Sequence, residues 1–545
     1  MTHILPALLR AGLLLMVFAL LSRCQNGVTA VDQTAEPPDI PKTVALPPLP
    51  PPTRPFTYET PTESSAWMGT NPNSINGRPI GPVSAAESSI LRVEVRRDYG
   101  GSIQIYDKVS NQALINFYDM GRESGMASYG GPRSFADDSP RWKNIGYNPL
   151  QAGDDGFNPS PILVHGIVNG WIYTKAQCLS WAHQDARRLP FFYEQWVGVD
   201  SNKVHVKVRL THQRPDKTFY NVEEQEWPMM MISGHRKVHF YTGSRPYQNE
   251  PTTVSDGIER SIGSMATQQS TPFYLTEPWE GVEIAPDRLI GLYSPGFFRA
   301  NYNVAALTPS PDNSEGSLTL TYVGNRPMVH LDSDNIWHKD YTYILGSEQD
   351  IRQYVYAQPR QMVPDFTFNK AGGRNGWFIQ DGGYDQQEPF SSDDWRVMFT
   401  GKTENGVTNA RGTKLISTTG SWPASQSGTL YIRMAYTGPP GAPAQVPLRL
   451  AWLLNGQEPN GFNSQYPDQN RTRFPRGIRG PDDQYVPLVV QNDGQMHTYK
   501  LTMTGHPAWK DVVQQFEIAH NYSPAFVAPG EVLTLRYFGT HDPGQ

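Results

Sequence analysis

The chain has 545 residues and a formal net charge of -6, from 46 Lys and Arg against 52 Asp and Glu. This length exceeds what one hydrophobic core usually organises, which predicts two or three domains, and the lack of a basic excess argues against a nucleic-acid-binding protein. With 48 Gly, 48 Pro, 11% aromatic and only 18% charged residues, the composition favours an all-β extracellular protein, and 2 cysteines exclude a disulfide-rich scaffold.

The N-terminus carries an apolar run, Ala11 to Leu21, that follows Arg10. The run has the length of a signal-peptide hydrophobic region and is too short to span a bilayer. It predicts an exported protein that is secreted or held in the cell envelope, with residues 1–24 as the signal peptide. The segment Leu21-Ser22-Arg23-Cys24 resembles a bacterial lipoprotein processing site, in which Cys24 would be acylated. Arg23 departs from the small residue usual there, so ordinary cleavage and a retained anchor stay open.

Residues 25–84 are predicted to form a linker. Ten prolines fall between Glu36 and Thr62, and proline supplies no N–H donor to a helix or a sheet. Such a segment favours an extended polyproline-type stalk. Membrane contact is expected only through the N-terminal lipid or leader.

From residue 85 onward, short segments alternate apolar and polar side chains, which is typical of half-buried antiparallel strands. These segments are Leu91 to Arg96, Val204 to Leu210, Leu318 to Val323, His497 to Met503 and Val532 to Tyr537. Asn455-Gly456 and Asp493-Gly494 add turn signals. The pattern predicts an all-β fold.

One helical pattern stands near the middle of the chain. Ser347 and Asp350 have the spacing of a capping box, apolar residues follow on one face, and Pro359 comes soon after. We expect this helix to end a first domain, residues 85–362, and a second domain to occupy residues 363–545.

Common catalytic signatures are absent. The sequence contains no glycine-rich dinucleotide or phosphate loop, no zinc-protease helix and no Gly-x-Ser-x-Gly elbow. We therefore expect no cofactor and no catalytic metal. Two oxygen-rich patches fit a structural calcium ion, although turn and cap roles are commoner for Asp. The patches are Asp381, Asp385, Asp393 and Asp394, and Asp332, Asp334 and Asn335.

Polar and aromatic residues cluster at several points of the first domain. Sugar sites use this combination because hydroxyl groups need polar partners and the C–H faces of a sugar pack on rings. The clusters are Asn116 to Arg122, Tyr129-Gly130-Gly131, Asn148 to Asp154, Trp181-Ala182-His183, Glu194-Gln195-Trp196 and Glu223 to Pro228.

The order of these clusters resembles a group of exported bacterial proteins with no assigned activity. Gly100-Gly101-Ser102-Ile103 precedes the clusters and Leu292 to Gly296 follows them, over roughly residues 88 to 360. The pattern is similar to the β-supersandwich of galactose-mutarotase-like proteins, a fold shared by aldose epimerases, polysaccharide lyases and glucan-processing periplasmic proteins. The resemblance implies this fold and leaves the reaction open.

The second domain resembles the jelly-roll β-sandwich modules that are attached to carbohydrate-active enzymes. Asp493 to Tyr499 and Pro507 to Lys510 carry this resemblance. It implies a domain that binds glycan or braces the first domain. Five tryptophans are candidates for either core or ligand platform, namely Trp377, Trp395, Trp422, Trp452 and Trp509.

These features predict a carbohydrate-active protein that processes a polysaccharide or oligosaccharide in its first domain. In an aldose epimerase a carboxylate takes the anomeric hydroxyl proton, and we assign that role to Glu226 with His183 or His165 as the acid. Hydrolysis would pair Glu226 with Asp154 or Glu194. The predicted catalytic residues are Glu226, His183, Asp154 and Glu194.

Elimination would instead need a base such as Tyr129 or His183, with Arg122 or Asn148 to neutralise a uronate carboxylate. The predicted substrate-binding residues are Arg122, Asp119, Asn148, Tyr129, Trp181 and Trp227. Glycoside hydrolase and polysaccharide lyase both stay open, and a non-catalytic glycan-binding or cell-surface structural protein is the alternative. The partner is a glycan, and the sequence does not fix an oligomeric state.

Overall fold

A computed structural model gives the fold of most of the chain after the proline-rich segment. It describes residues 55–119, 123–143, 145–215, 220, 222–255, 272–306, 314–331, 335–370, 373–380, 384–385, 394–399, 403–404, 407–408, 414–457, 484–520 and 530–544. The predicted signal peptide, including Cys24, lies outside these residues. Within them no helix combines the length and the apolar character that crossing a bilayer requires.

Strands dominate the described residues, which confirms the all-β prediction. Before the helix the strands are β1 (Gly69–Ile75), β2 (Arg78–Glu87), β3 (Leu91–Arg96), β4 (Ser102–Asp107), β5 (Gln112–Ala113), β6 (Ser124–Ala127), β7 (Pro149–Leu150), β8 (Ile162–Val168), β9 (Trp171–Ser180), β10 (Arg188–Asp200), β11 (Lys203–His212), β12 (Glu223–Glu224), β13 (Glu226–Ser233), β14 (Val238–Phe240), β15 (Thr253–Val254), β16 (Phe273–Tyr274), β17 (Trp279–Ala285), β18 (Arg288–Tyr293), β19 (Arg299–Ala306), β20 (Thr319–Asn325), β21 (Met328–Val329) and β22 (Asn335–Gly346).

After the helix α1 (Glu348–Ala357), the chain continues as a second set of strands. These are β23 (Asp365–Thr367), β24 (Phe378–Gln380), β25 (Tyr384–Asp385), β26 (Trp395–Phe399), β27 (Thr403–Glu404), β28 (Val407–Thr408), β29 (Lys414–Ile416), β30 (Trp422–Pro423), β31 (Thr429–Thr437), β32 (Gln445–Leu454), β33 (Tyr485–Gln491), β34 (His497–Thr502), β35 (Val512–His520) and β36 (Val532–Gly539). We call the described part before residue 358 the first lobe and the part after it the second lobe.

The folded region begins earlier than residue 85, so the linker prediction is wrong over residues 69–84. There β1 and β2 form a hairpin in which Ile75 pairs with Arg78 across the two-residue turn Asn76-Gly77. Both turn residues have positive φ, 49° and 79°, which Asn and Gly adopt with little strain. This Asn-Gly pair was the sequence signal for the hairpin.

The first lobe consists of two main sheets around one core. A five-stranded sheet runs in the order β1-β2-β3-β4-β5. A fifteen-stranded sheet runs in the order β15-β14-β17-β18-β22-β11-β10-β9-β7-β6-β13-β20-β19-β16, with β8 on β9. The core takes side chains from both sheets, for example Val93 and Ile105 from the first and Val206 and Met230 from the second.

The helix α1 begins as predicted. The Ser347 hydroxyl accepts a hydrogen bond from the Asp350 N–H, and the Asp350 carboxylate accepts one from the Ser347 N–H, which completes the capping box. Ile351 and Val355 then pack on Trp279 from β17. The predicted domain boundary near residue 362 falls between α1 and β23.

The second lobe contains two six-stranded sheets, β25-β26-β36-β31-β34 with β23 on β36, and β24-β29-β35-β32-β33 with β30 on β35. Its core buries four of the five candidate tryptophans: Trp377, Trp395, Trp422 and Trp452. Trp509 is half-buried, packs against Trp452 and donates a hydrogen bond from Nε1 to the Ala424 carbonyl. All five therefore serve the core, and the ligand-platform alternative is wrong for the four that are buried.

The two lobes belong to one compact unit, Thr43–Gln545. The Gln514 amide donates to the Leu275 carbonyl at 2.7 Å, and the Ser421 hydroxyl donates to the Thr276 carbonyl at 2.8 Å. The Ile379 N–H donates to His330 Nε2 at 3.0 Å. Two backbone carbonyls and one buried side chain of the first lobe thus receive hydrogen bonds from the second lobe.

Candidate functional site

Glu226 lies in a buried group of charges at the start of β13. Its Oε1 accepts a hydrogen bond from Arg326 Nη1 at 2.7 Å, and its Oε2 accepts one from the Tyr129 hydroxyl at 3.2 Å. The side chains of Arg326 and Glu226 are only 1% and 5% exposed. Because an unpaired buried charge is very costly, this ion pair must persist in the folded protein.

Arg326 joins Glu226 to two further groups. Its Nε donates to Asn301 Oδ1 at 2.7 Å, and its Nη1 lies 3.6 Å from Glu224 Oε1. Glu224 is also paired with Arg299 at 2.6 Å. Burial opposes the charge of Arg326, but Tyr322, Glu226 and Glu224 outweigh it and raise its pKa above the usual value. Arg326 therefore stays positive, and we call Glu224, Glu226, Arg299 and Arg326 the carboxylate cluster.

Tyr129 connects this cluster to the surface. The Tyr129 ring is half-buried and packs, with Trp142, on an apolar layer that contains Trp181. Trp142 and Trp181 have ring centroids 4.8 Å apart, and the Arg141 guanidinium lies 4.9 Å from the Trp142 ring while 64% of its side chain is exposed. We call Tyr129, Trp142 and Trp181 the aromatic shelf. A ring surface beside a hydroxyl and an exposed cation is suited to a sugar that carries a negative charge.

The structure corrects the roles predicted for two tryptophans. Trp227 is fully buried on the core side of β13, where its Nε1 donates to Ser128 Oγ at 2.9 Å. It cannot present a face to a ligand. Trp181 is buried as well, so it supports Trp142 from below, and Trp142 is the ring that the sequence analysis missed.

His183 is part of a separate arrangement in the turn between β9 and β10. Its Nδ1 is 2.6 Å from Ser180 Oγ, and its Nε2 is 2.9 Å from Asp138 Oδ1, which also pairs with Arg187. Ser180 is fully buried, so its hydroxyl has no access to a substrate and cannot act as a nucleophile. The hydrogen bonds fix His183 within this turn.

Asp154 and Asn148 hold the same region together. The Asp154 carboxylate accepts hydrogen bonds from the backbone N–H groups of Gly156, Asn158 and Ala186 and from the Asn158 side chain. Asn148 Oδ1 accepts one from the Ala182 N–H. Both side chains are buried, although Asn148 Nδ2 has no hydrogen-bond partner among the described residues. Their hydrogen bonds are those of turn residues, and the role of Asp154 as a second carboxylate beside Glu226 stays a prediction.

Glu194 lies on β10 with its own partners. Arg209 binds its two oxygens at 2.7 and 2.8 Å, and the Tyr173 hydroxyl donates to it at 2.7 Å. Burial would raise the pKa of Glu194, but these hydrogen bonds outweigh burial and lower it. Glu194 and Asp154 are thus each held by their own donors, and neither makes a direct contact with Glu226.

His165 is covered by the segment that precedes β1. Its Nε2 is 2.9 Å from Ser84 Oγ, its Nδ1 is 3.2 Å from the Ser65 carbonyl, and Trp67 stacks on its ring at 3.9 Å. Burial lowers the pKa of His165 below its usual range, despite the hydrogen bond to Ser65. A neutral, covered histidine is poorly placed to donate a proton to a substrate.

Some predicted residues lie at or beyond the edge of the described part. Arg122, Asp332, Asp334, Asp381 and Asp393 are outside it. Asp119 is the last residue before a gap and is buried, and Asp394 pairs with Arg536 at 2.6 Å. Among the described residues, no three His, Cys, Asp or Glu side chains are grouped to hold a metal ion.

The residues that the sequence analysis missed are Arg326, Arg299, Trp142 and Arg141. Arg326 and Arg299 are isolated arginines, about 100 and 75 positions along the chain from their carboxylate partners. No local sequence pattern indicates an ion pair between residues that far apart. Arg141-Trp142 is an adjacent cation and indole ring of the kind that the other predicted sugar clusters contain, so this signal was available.

The chain was compared with known families, curated proteins and solved structures. No protein-family model and no curated protein matches it. About half of the chain is similar to a proposed aldose 1-epimerase from Escherichia coli K12, at 10% identity, 49% coverage of this chain, 99% of the other chain and a TM-score of 0.30. A galactose mutarotase-like protein from Lactobacillus casei has 9% identity, coverages of 48% and 99% and a TM-score of 0.29. An alpha-N-acetylgalactosaminidase from Bifidobacterium bifidum has 11% identity, coverages of 51% and 40% and a TM-score of 0.32.

Proposed function

We propose that this chain is an exported carbohydrate-processing protein that cleaves an acidic polysaccharide by elimination at the aromatic shelf. The observation that carries the proposal is the position of Tyr129. Its ring belongs to the half-buried shelf while its hydroxyl donates to Glu226, whose other oxygen is held by Arg326. Among the described residues, Tyr129 therefore connects the shelf with the buried charges.

The proposed reaction removes the C5 proton of a uronate residue. The Tyr129 oxygen takes this proton while its own proton moves to Glu226 Oε2, so Glu226 becomes the acid. The electron pair left on C5 forms the C4–C5 double bond as the C4–O bond breaks. Tyr129 then returns a proton to the leaving oxygen and recovers its hydrogen from Glu226.

Two further groups support this chemistry. Arg326 offsets the negative charge that develops on the Tyr129 oxygen, because a neighbouring cation favours the ionised form of a phenol. The exposed Arg141 guanidinium beside Trp142 is suited to pair with the uronate carboxylate in place of Asp155, whose Oδ2 lies 3.5 Å from Arg141 Nη1. Neutralisation of the uronate carboxylate makes the C5 proton easier to remove. We favour elimination over hydrolysis because the group in contact with Glu226 at the shelf is the hydroxyl of Tyr129, whereas Asp154 and Glu194 make no direct contact with Glu226.

A non-catalytic glycan-binding protein is the second candidate. It is favoured by the near-complete burial of Glu226 and by the occupation of both its oxygens. In that case the carboxylate cluster would only hold the shelf in place. This candidate predicts binding to the same sugars without turnover.

The test uses the full-length protein with a panel of uronate-containing and neutral polysaccharides. Elimination predicts products with the ultraviolet absorbance of the new double bond, from uronate polymers alone. New reducing ends without that absorbance would indicate hydrolysis, and binding without products would favour the second candidate. Arg141→Gln should raise KM for the uronate substrate more than kcat falls, whereas Arg97→Gln, an exposed arginine elsewhere in the first lobe, is the matched control.

A further inference from the structure

Glu280 is a buried carboxyl group that the proposed reaction does not use. It lies on β17 with no exposed surface, and neither of its oxygens makes a close hydrogen bond among the described residues, where the Gly324 backbone N–H is the one donor directed at it. Nearly all buried polar groups in proteins have such partners, so this carboxyl requires an explanation. Arg326 Nη2 is also buried and also has no hydrogen-bond partner in the described part of the chain.

Among the described residues, Arg326 is the one charge near Glu280. Its neighbours across the sheet are Phe240 on β14 and Leu292 on β18, which are both apolar. From the side of β20 it is approached by the Gly324 backbone and by the charge of Arg326. No ion pair joins Glu280 to Arg326, whose Nη1 and Nε serve Glu226, Glu224 and Asn301.

The other titratable groups near β17 have partners of their own. His239 on β14 pairs with Glu283 and with Glu348 from α1, and Arg352 from α1 pairs with Glu277. None of these groups is a partner of Glu280. An ionised Glu280 would therefore be a buried charge without an ion-pair partner among the described residues, unless it drew Arg326 away from Glu226.

We propose that Glu280 is a proton-holding positioning residue of the carboxylate cluster, which stays a neutral carboxylic acid and so leaves Arg326 to Glu226. Burial raises the pKa of Glu280 well above its ordinary range, and Arg326 and the Gly324 backbone lower it too little to offset this. The pattern of one carboxyl held neutral and another held charged in the same site is how proteins separate acid and base roles. The consequence for catalysis rests on the proposed function, whereas the protonation state does not.

Loss of the Glu280 proton to solvent at alkaline pH should disturb the site. A carboxylate at this position would compete with Glu226 for the guanidinium of Arg326. The Tyr129–Glu226 hydrogen bond would then lose its fixed geometry. Turnover should fall as Glu280 ionises, although Glu280 touches no substrate.

Infrared spectroscopy of the full-length protein with ¹³C-labelled glutamate tests the protonation state directly. The band of a protonated carboxyl group should be present at neutral pH, should disappear in Glu280→Gln and should remain in Glu283→Gln, a control on the same strand. Absence of the band from the wild-type protein at neutral pH, or its persistence in Glu280→Gln, would overturn the proposal. This readout does not need any activity, so it stays valid if the proposed function fails.

The pH profile of turnover tests the positioning role. The amide of Glu280→Gln is close in shape to the neutral acid, so we expect the variant to keep activity within about threefold at neutral pH. The turnover of Glu280→Gln should also lack the decline at alkaline pH that the ionisation of Glu280 causes in the wild-type protein. A folded Glu280→Gln variant that loses turnover by a hundredfold at neutral pH would contradict the role, because the carboxyl proton itself would then be required.

Discussion

At the scale of single residues, the Arg326–Glu226 ion pair decides whether the candidate site exists. Replacing Arg326 by Gln leaves two buried carboxylates without their shared cation. Loss of one partner of a buried pair costs about 3–5 kcal/mol of unfolding free energy. Urea unfolding of Arg326→Gln measures this loss, with Arg141→Gln as the control that should change stability by less than about 0.5 kcal/mol because that side chain is exposed.

Glu194 makes the free energy of unfolding of the first lobe depend on pH in the acid range. The pKa of Glu194 is lower in the folded protein than in the unfolded chain, so the folded state binds its proton less readily. The stabilisation that Glu194 contributes is fully present at pH values above the ordinary pKa of a glutamate. It is lost as the pH falls through the lower pKa of the folded protein. Unfolding measurements from neutral pH into the acid range should show a steeper loss for the wild-type protein than for Glu194→Gln. Equal slopes would mean that the Arg209 contact does not stabilise the carboxylate.

The sequence analysis predicted several residues of the candidate site correctly, but it assigned some of them the wrong role. Glu226 and Tyr129 were both predicted, and the structure places their side chains 3.2 Å apart. The period of two in a strand shows that residues face opposite sides, but it does not say which side is the core, so Trp227 was misassigned. Arg326 could not be paired with Glu226 from sequence, because the contact joins positions 100 residues apart through the fold.

At the scale of elements, the segment before β1 packs on the main sheet rather than continuing the stalk. The Phe56 ring lies 5.1 Å from the Trp171 ring, the Tyr58 ring lies 5.2 Å from the Trp196 ring, and Trp196 Nε1 donates to the Glu59 carbonyl. This segment was predicted to be a linker because it is rich in proline. The two aromatic residues that anchor it follow neither strand nor helix periodicity. The capping box of α1 was predicted correctly, since all its hydrogen bonds are local.

This packing predicts that the segment before β1 contributes to stability. Replacing Phe56 and Tyr58 together by Ala should cost about 1–3 kcal/mol, because both rings lose partly buried surface. Hydrogen exchange should accelerate at residues 55–67 while the core strands stay protected. Phe157→Ala, at a ring that is 49% exposed, is the control and should have little effect. Unchanged exchange in the double variant would show that the rings do not hold the segment.

At the scale of the whole molecule, the second lobe serves the first as a brace. The pKa of His330 lies well below its usual value because of burial and the nearby charge of Arg374, so it stays neutral. His330 Nε2 can then accept the hydrogen bond from the Ile379 N–H. The Tyr274 hydroxyl donates a hydrogen bond to Gln515 in β35. Tyr274 also interacts with Arg299, so it links the second lobe to the carboxylate cluster.

These contacts predict that the two lobes unfold together. Calorimetry of the full-length protein should show one transition. Gln514→Ala leaves the Leu275 carbonyl buried without its donor, which costs about 1–3 kcal/mol, and it should lower that single transition as a whole. Two separate transitions, with only one shifted by the variant, would show that the lobes are independent.

The most direct test of the central claim is the turnover of a uronate polymer by Tyr129→Phe. Tyr431→Phe, at a half-buried tyrosine of the second lobe, is the matched control. Removing the Tyr129 hydroxyl should reduce turnover about 10²–10⁴-fold, with a stability change of about 1 kcal/mol and with polymer binding retained. Wild-type turnover in Tyr129→Phe would contradict the claim that this hydroxyl transfers the proton.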